Sequence, residues 1–348
     1  MDQHQKEKLI ELNNLVTPDV LANQLSISIK TLWYLVRLCN MDVGIPAAGQ
    51  FPYRHLEVKT KNKVRDVFSP ADKIRDIQTM LLNVVWSGID HGVHSYAYEP
   101  GMQLVEPGEL LKNSGLIVGL DFKDFFPSIS KKKVKDLLTT YGYQDTVASI
   151  IATLSCVRYN GFCFLPQGGI SSAQIANRIA AEYIDPLVNE YCTENLKDVP
   201  YTYVRYSDNI YIGTSKSVHG KDFLQGLSTM LFQHKWRNHK LRVLPYYRQQ
   251  RVLGMVINEK VNAPRVEYRR FCAALFNIGN CTSREELLDQ VVKLATLKVN
   301  IEEGKGKLLM SIKGKSNYYS SLLDEGSPKL SNLLEVTKNS LRKIEDLF

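Results

Sequence analysis

The alternation of apolar and polar residues predicts the two elements around which the chain is organised. Residues 116–120 form a short apolar run with β-branched residues, and the run ends on Asp121. Such a run is typical of a buried strand, whose end would place the carboxylate of Asp121 at a sheet edge. Residues 203–212 alternate aromatic and polar residues about Ser207-Asp208-Asn209, which predicts a β-hairpin with an Asp-Asn tip. If the two elements lie side by side, Asp121 faces Asp208.

Further periodic segments predict a second hairpin and a largely helical remainder. Residues 53–70 alternate about a Lys/Asn turn at 61–63, and residues 162–169 predict a strand followed by a tight glycine turn. Residues 44–53, rich in Gly, Pro and Ala, predict a linker. Apolar residues at helical spacing predict helices in residues 1–50 (with Leu9, Leu12 and Val16), 72–86, 134–154, 171–188, 217–232, 266–275, 284–297 and from Pro328 onward.

Two short helices about a turn are predicted near the N-terminus, at residues 21–27 and 29–36. A helix-turn-helix DNA reader has this pattern, and so has a helix pair that only packs on a larger domain. We favour the packing interpretation, because small hydrophobic helix pairs are common.

The composition is typical of a globular protein without a membrane span. No apolar run approaches the length of a bilayer, and the polar N-terminus is unlike a signal peptide, so we expect a cytoplasmic protein without a membrane partner. The six cysteines show no CxxC pairing, which favours free thiols in a reducing cytosol over a zinc site. The formal net charge of +8 fits a polyanionic partner.

The positive charge is concentrated between residues 235 and 270. Only Glu259 and Glu267 oppose the lysines and arginines of this stretch, and Trp236, Tyr246 and Tyr268 are interleaved with them. A solvated basic face is the usual explanation of such a run. Rings among cations also suit contact with a nucleic-acid backbone and its bases. We therefore favour nucleic acid as the partner of this segment.

The two aspartates are the candidate chemical centre. Two carboxylates brought together repel each other unless a divalent cation lies between them. Two Mg²⁺ ions about 3.5–4 Å apart are the arrangement that drives in-line nucleotidyl transfer. Aspartate at a strand end and Asp-Asn at a hairpin tip are also ordinary turn chemistry. Each residue alone therefore leaves the structural interpretation open.

Four motifs in order favour the catalytic interpretation. Residues 63–70, the strand ending on Asp121, residues 165–172 with their Gln-Gly turn, and the hairpin carrying Asp208 follow one another. This order resembles the reverse transcriptases, and within them the compact bacterial retron type, over residues 53–319. The resemblance implies an α+β right-hand polymerase: fingers at 51–120, a palm of antiparallel sheet with helices on one face at 121–258 (with a finger insertion around 131–165), and a helical thumb at 259–348. Residues 1–50 would be a helical extension.

The resemblance also implies roles for particular residues. Asp121, Asp208 and Asn209 correspond to the catalytic positions, and Asp121, Phe122 and Asp208 to the metal ligands. Phe126 corresponds to an aromatic gate that excludes a 2′-hydroxyl by steric clash. The residues expected to bind the deoxynucleotide are Lys63, Arg65, Asp124, Phe126, Gln167 and Gly168. The residues expected to bind nucleic acid are Lys235, Arg237, Lys240, Arg242, Arg248, Arg251, Lys313 and Lys315.

The chain departs from the retron pattern at several positions. Most reverse transcriptases have a second aspartate where this chain has Asn209, and this substitution leaves either an active enzyme with an altered metal preference or a crippled site. We favour activity, because the gate, the Gln-Gly turn and the fingers hairpin remain. Residues 105–113 lack the usual Asn-Ala-x-x-His signature, and Leu253 stands in place of a threonine.

The expected function is RNA-directed DNA synthesis with two Mg²⁺ ions, with Mn²⁺ as the alternative metal. The retron resemblance implies a cognate non-coding RNA, a branched multicopy RNA–DNA product, a role in phage defence and a separate effector protein. Two alternatives remain open: an abortive-infection reverse transcriptase, and a catalytically silent RNA-binding protein on the same fold. Primer extension separates the silent protein from the two enzymes, and sequencing of co-purifying nucleic acid separates the enzymes.

Overall fold

The computed structural model describes residues 17–44, 51–60, 63–215, 219–295 and 305–347. The chain divides into two compact units. Unit 1 consists of Met1–Met102 and Val118–Val243, and unit 2 of Gln103–Ile117 and Leu244–Phe348. The predicted helix around Leu9, Leu12 and Val16, the centre of the predicted linker (45–50) and the predicted turn residues 61–62 lie outside the described residues. The predicted division into extension, fingers, palm and thumb remains a prediction.

The helices and strands are numbered here in chain order. The helices are α1 (Pro18–Gln24), α2 (Ile29–Cys39), α3 (Asp72–Val84), α4 (Glu106–Leu111), α5 (Phe125–Ser128), α6 (Lys131–Thr140), α7 (Asp145–Ser155), α8 (Ser172–Tyr183), α9 (Asp185–Leu196), α10 (Gly220–Gln233), α11 (Arg265–Gly279), α12 (Arg284–Ala295), α13 (Lys305–Ser320) and α14 (Pro328–Leu347). The strands are β1 (Tyr53–Thr60), β2 (Lys63–Pro70), β3 (Leu116–Phe122), β4 (Val157–Tyr159), β5 (Phe162–Phe164), β6 (Tyr201–Tyr206), β7 (Asn209–Thr214), β8 (Asn238–Pro245), β9 (Arg251–Val252) and β10 (Met255–Val256).

A four-stranded sheet in the order β6-β7-β3-β8 carries the predicted carboxylates. Strands β6 and β7 pair in antiparallel register from Tyr201↔Thr214 to Tyr206↔Asn209, so the predicted hairpin is present. Strand β3 lies between β7 and β8, and all of its residues are buried except Asp121, which is partly exposed. An apolar strand buried on both faces is what the run before Asp121 predicts.

The second predicted hairpin, β1–β2, is also present, with antiparallel register from Tyr53↔Pro70 to Thr60↔Lys63. Its base is tied to the rest of unit 1 through Gln78 of α3, whose side chain is fully buried. The amide nitrogen of Gln78 donates to Tyr53 Oη at 2.7 Å and to the carbonyl of Leu154 at 3.0 Å. Because a buried amide is costly unless it is hydrogen-bonded, these bonds hold hairpin, α3 and α7 in one arrangement.

Two predicted helices are each divided in the structure. The 134–154 segment forms α6 and α7 with a turn at Gly142, whose φ of +88° favours glycine. The 171–188 segment forms α8 and α9, and Pro186 occupies the first turn of α9, where its missing N–H has no helical partner to lose. Residues 305–319, which the pattern leaves between helices, form α13.

The N-terminal helices α1 and α2 both pack against α7. Helix α2 buries Leu32, Leu35 and Leu38 on one face, and Ser28 caps its first turn by accepting from the N–H of Thr31. Spacing of three residues between leucines gives one apolar stripe, which is the face that a packed helix needs.

Unit 2 has its core between α11, α13 and α14. Phe271 and Tyr319 are fully buried, with ring centroids 5.4 Å apart. The hydroxyls of Ser316 and Thr337 are hydrogen-bonded at 2.7 Å inside this core. Of the helices that the structure describes, none has both the length and the apolar composition needed to cross a bilayer.

Candidate active site

Backbone hydrogen bonds bring the end of β3 next to the tip of the β6–β7 hairpin. The N–H of Phe122 donates to the carbonyl of Asp208 at 2.8 Å. On the other side, the N–H of Lys123 donates to the carbonyl of Arg237 at 2.8 Å. Asp121 therefore lies between the hairpin tip and the start of β8. The two predicted carboxylates are at the same end of the sheet.

The carboxylate of Asp121 contacts two basic side chains of β8. Lys240 Nζ donates to Asp121 Oδ2 at 3.3 Å, and His239 Nδ1 lies 3.6 Å from Asp121 Oδ1. The Asp121 side chain is 13% exposed and that of Lys240 is 52% exposed. The sequence pattern favours nucleic acid as the partner of Lys240, and in the structure its ammonium group pairs with Asp121.

The surroundings of Asp208 disfavour its negatively charged form. Its burial, followed by the negative charge of Asp121, raises the pKa of Asp208 above the ordinary value. The Asn209 side chain opposes this shift, since its Nδ2 donates to Asp208 Oδ1 at 3.0 Å, and so does the positive charge of Arg65. Asn209 thus orients the carboxylate of Asp208 and does not add a second negative charge beside it.

Backbone strain is present beside both carboxylates. Ser207, the residue before Asp208, is buried and has φ +56°, and Asp124 has φ +50° and ψ +47°. The left-handed region costs a non-glycine residue about 1 kcal/mol or more, so the surrounding contacts must hold these turns in place. Strain of this kind is concentrated at functional sites in many proteins.

The two phenylalanines after Asp124 divide their roles. Phe125 is buried and packs on Phe122 and Trp236, with ring centroids 5.6 and 6.2 Å away. Phe126 is partly exposed and contacts Phe125 edge-on at 5.8 Å. Phe125 is therefore the core residue of the pair, and Phe126 is the ring that remains accessible.

The Gln-Gly turn is hydrogen-bonded to the β1–β2 hairpin. The N–H of Phe68 donates to the carbonyl of Gln167 at 2.8 Å, and Gly168 has φ +107°. A Cβ on Gly168 would lie 2.9 Å from Val67 Cγ1 and 3.0 Å from the carbonyl oxygen of Phe68. Both the backbone angle and the close approach require glycine here. The sequence pattern alone identifies the turn but not its partner strand.

Strand β2 carries the predicted triphosphate-binding residues. Arg65 is exposed, and its charge acts on the carboxylate of Asp208. The side chain of Lys63 lies outside the described part of the structure. Among the described side chains of β2, Arg65 therefore has a charge that acts on the candidate site.

The predicted nucleic-acid-binding residues have different surroundings. Arg251 pairs with Glu267 at 2.9 Å, and Lys315 lies over the rings of Phe271 and Tyr319 at 5.9 and 5.6 Å. Both are partly exposed. The exposed members of the set are Lys235, Arg237, Lys240 and Arg242 in unit 1, and Arg248 and Lys313 in unit 2.

A buried ion-pair network supports the hairpin and was missed by the sequence analysis. Arg205 of β6 is fully buried, and its Nε and Nη2 donate to the two carboxylate oxygens of Asp185 at 2.8 and 3.0 Å. Its remaining donors bond Asn177 Oδ1 and the carbonyl of His91, both at 3.2 Å. A basic residue inside an alternating strand is the one sequence signal of this network, and it does not indicate the partner.

The donor set at the shared edge fits a divalent metal ion. In the described ranges, no group of three or more His, Cys, Asp or Glu side chains is arranged to hold a metal. Mg²⁺, however, is commonly bound by one or two carboxylates together with substrate phosphates. The repulsion that raises the pKa of Asp208 is the kind that a cation between the two carboxylates relieves.

Comparison with known proteins finds similarity to the retron reverse transcriptases. No family model matches the chain. The chain is 26% identical to the retron Ec86 reverse transcriptase of Escherichia coli over 238 residues, which cover 66% of this chain and 71% of that protein. It is 24% identical to the retron Mx162 reverse transcriptase of Myxococcus xanthus over 288 residues, covering 73% and 58%. By sequence, the chain is a relative of the retron reverse transcriptases.

This similarity confirms the predicted resemblance to the retron reverse transcriptases, and it agrees with the predicted enzyme class, RNA-directed DNA polymerase. With the antiparallel hairpin sheet and its flanking helices, it also confirms the predicted right-hand polymerase class of fold. The match spans 58% of the length of the Mx162 enzyme, and 53% of that of a second Myxococcus xanthus relative, the retron Mx65 reverse transcriptase. The roles of individual residues therefore stay predictions, as do the template, product and partners.

Two of the solved structures that are similar to this chain are telomerases. Telomerase from Candida albicans, in complex with a fragment of telomeric RNA, has a TM-score of 0.45 at 9% identity, covering 92% of this chain and 70% of that one. Apo telomerase from Candida tropicalis has a TM-score of 0.45 at 11% identity, covering 87% and 65%.

Proposed function

We propose that this protein copies an RNA template into DNA by metal-assisted nucleotidyl transfer at Asp121 and Asp208. The observation that carries the proposal is the 2.8 Å bond from the N–H of Phe122 to the carbonyl of Asp208, which joins the two carboxylate-bearing segments. The relationship to the retron enzymes supports a polymerase as the use of such a pair.

Two Mg²⁺ ions, or Mn²⁺ in their place, would be held by the carboxylates of Asp121 and Asp208 and by the carbonyl of Phe122. Such ions activate the primer hydroxyl and stabilise the charge on the departing pyrophosphate. The chain itself orients the ligands: Asn209 holds the carboxylate of Asp208 through its amide, and Lys240 balances Asp121.

The incoming deoxynucleotide would lie between β2, the turn after β5 and the start of α5. Arg65 suits the triphosphate because a guanidinium bonds phosphate oxygens in pairs, and Lys63 precedes it on the same strand. The residues proposed to contact the base and sugar are Asp124, Phe126, Gln167 and Gly168. Phe126 has the accessible ring that exclusion of a 2′-hydroxyl requires.

Nucleic acid would contact the exposed basic residues of each unit. From the predicted set these are Lys235, Arg237, Lys240 and Arg242 in unit 1, and Arg248 and Lys313 in unit 2. Contacts of this kind depend on phosphate charge and not on base sequence, so they suit a template and product that change at every step.

The relationship to retron enzymes supports a more specific role. The RNA would be a cognate structured non-coding RNA, the product a branched multicopy RNA–DNA molecule, and the setting anti-phage defence in the cytoplasm with a separate effector protein. Sequencing the nucleic acid that co-purifies with the protein tests this role. One abundant structured RNA joined to DNA supports it, and an absence of any enriched RNA contradicts it.

Primer extension on an RNA template tests the activity. We expect incorporation of deoxynucleotides with Mg²⁺ or Mn²⁺, and a loss of at least about a thousandfold for Asp121→Asn and Asp208→Asn. Asp198→Asn is the matched control, because Asp198 is an exposed carboxylate of the same unit. Full activity of either site variant would overturn the proposal. Equal incorporation without template would instead favour the abortive-infection alternative.

A further inference from the structure

Gln78 of α3 is fully buried, and its side-chain amide makes hydrogen bonds to three different elements. Besides the bonds from Nε2 to Tyr53 Oη and to the carbonyl of Leu154, its Oε1 accepts from the N–H of Ile170 at 2.9 Å. These partners fix the orientation of the amide, because exchanging its oxygen and nitrogen would bring Oε1 against the Leu154 carbonyl.

Ile170 directly follows the Gln-Gly turn, so Gln78 holds the end of that turn. The start of the turn is held by β2, through the bond from the N–H of Phe68 to the carbonyl of Gln167. The backbone of the turn is therefore hydrogen-bonded at both ends, once to the β1–β2 hairpin and once to α3.

The turn lies on the face of the hairpin that carries Arg65. A Cβ on Gly168 would lie 2.9 Å from Val67 Cγ1, so the turn passes over the Val67 side chain. Arg65 and Val67 are two residues apart on β2, and alternate residues of a strand share one face about 7 Å apart. Gln78 also bonds the base of the same hairpin, through Tyr53 of β1. Its amide thus connects the turn to the hairpin.

We propose that Gln78 is a positioning residue for the incoming deoxynucleotide, because it fixes the spacing between Arg65 and the turn at Gln167 and Gly168. These groups are proposed above to bind the triphosphate and the base and sugar of one nucleotide, so the inference rests on the proposed function. They belong to separate elements, and their spacing is only as constant as the contacts that join those elements. Gln78 acts through these contacts, since its own side chain is fully buried.

The elements that Gln78 joins do not include the strands of the two carboxylates. Asp121 and Asp208 lie at the end of the β6-β7-β3-β8 sheet, whereas the partners of Gln78 belong to β1, α7 and the end of the Gln-Gly turn. Loss of Gln78 should therefore weaken nucleotide binding equally in the ground state and the transition state, which raises KM and leaves kcat unchanged. A residue needed only for folding would instead lower the fraction of active protein, and so the apparent kcat.

Primer extension with deoxythymidine triphosphate on an adenine RNA template measures KM and kcat. The test variant is Gln78→Met, which keeps the length of the side chain and removes all three hydrogen bonds. We expect KM to rise roughly 10-fold, with kcat within about twofold of the wild type. Tyr53→Phe, which removes a single oxygen atom, is the second variant and should raise KM about threefold.

Gln250→Met is the matched control. Gln250 is likewise fully buried, and its Nε2 donates to the carbonyls of Ser114 and Leu244 at 3.0 Å, all within unit 2. The same substitution there removes buried hydrogen bonds of the same kind, so we expect a lower free energy of unfolding and a wild-type KM. A KM of Gln78→Met equal to that of this control would overturn the proposal. If Gln78→Met does not fold, an unchanged KM of Tyr53→Phe would overturn it.

Binding of the same nucleotide to a complex whose primer lacks the 3′-hydroxyl separates this proposal from the proposed function. No phosphodiester bond can form on such a primer, so the dissociation constant reports nucleotide binding alone. We expect this constant to rise roughly 10-fold in Gln78→Met. Wild-type protein that binds the nucleotide but does not extend an ordinary primer would count against the proposed activity. Equal dissociation constants for the variant and the wild type would count against the role of Gln78.

Discussion

Two charged clusters lie three residues apart along the β6–β7 hairpin, around Arg205 and around Asp208. They differ in how far neighbouring groups of the protein balance their charge. Arg205 is fully buried, and each of its three side-chain nitrogens donates to a protein acceptor in Asp185, Asn177 or His91. Asp208 is partly exposed and has a second carboxylate, Asp121, as its neighbour. One cluster is complete within the chain, and the other keeps a repulsion that the chain only partly relieves.

The difference suggests separate roles for the two clusters: that of Arg205 stabilises the hairpin, and that of Asp208 is the candidate chemical centre. A buried ion pair tolerates no missing partner, because the remaining charge would be stranded in a medium that solvates it poorly. The carboxylate pair, in contrast, remains short of positive charge, which is the condition for recruiting a cation. The ion pair of Arg205 thus stabilises the hairpin, whereas the repulsion between Asp121 and Asp208 destabilises its tip.

The largest expected effect comes from neutralising the site. Asp208→Asn is expected to reduce primer extension at least about a thousandfold, because one of the two carboxylates is lost. The same change should raise the free energy of unfolding by about 0.5–1 kcal/mol, because it removes repulsion with Asp121. Urea unfolding without metal measures the second effect. A destabilised variant would contradict the contrast between the two clusters.

Breaking the buried pair is expected to act in the opposite direction. Arg205→Met should lower the free energy of unfolding by about 3–5 kcal/mol, because the charge of Asp185 is left buried without its partner. Replacing both residues, Arg205→Met with Asp185→Leu, should recover much of this loss. A single variant as stable as the wild type in urea would show that the network does not support the hairpin.

Restoring a second aspartate would sharpen the comparison. Asn209→Asp replaces the amide that donates to Asp208 by a third negative charge, so we expect a loss of about 0.5–1 kcal/mol in stability without metal. Millimolar Mg²⁺ should return most of this loss if the edge binds the ion. Thermal unfolding with and without Mg²⁺ measures both quantities, and an identical response in variant and wild type would count against a metal site there.

The smallest effect is expected at the exposed cation. Lys240→Met should change the free energy of unfolding by less than about 1 kcal/mol, because the Lys240 side chain is half exposed and its pair with Asp121 is screened by solvent. A loss comparable to that of Arg205→Met would mean that the two clusters do not differ in kind.

Local patterns in the sequence predicted the elements that carry the site. The apolar run before Asp121, the two alternating hairpins and the glycine turn at 162–169 are all present, because the period of side-chain burial is a local property of a strand or helix. The predicted ends of helices were less accurate than the predicted strands and turns. Pro186 divided a predicted helix, although its position in the sequence is a sufficient signal of a helix start.

Tertiary structure alone decided which charges meet. The partner of Arg205 lies 20 residues away on α9, and the partner of Asp121 lies 119 residues away on β8. The same is true of Glu267 and Asp324, which pair with Arg251 and Lys260. Electrostatic energy depends on distance and burial in space, and neither is encoded in the local spacing of residues. The sequence by itself therefore determined the strands, turns and candidate carboxylates, and the fold determined which of their charges are balanced.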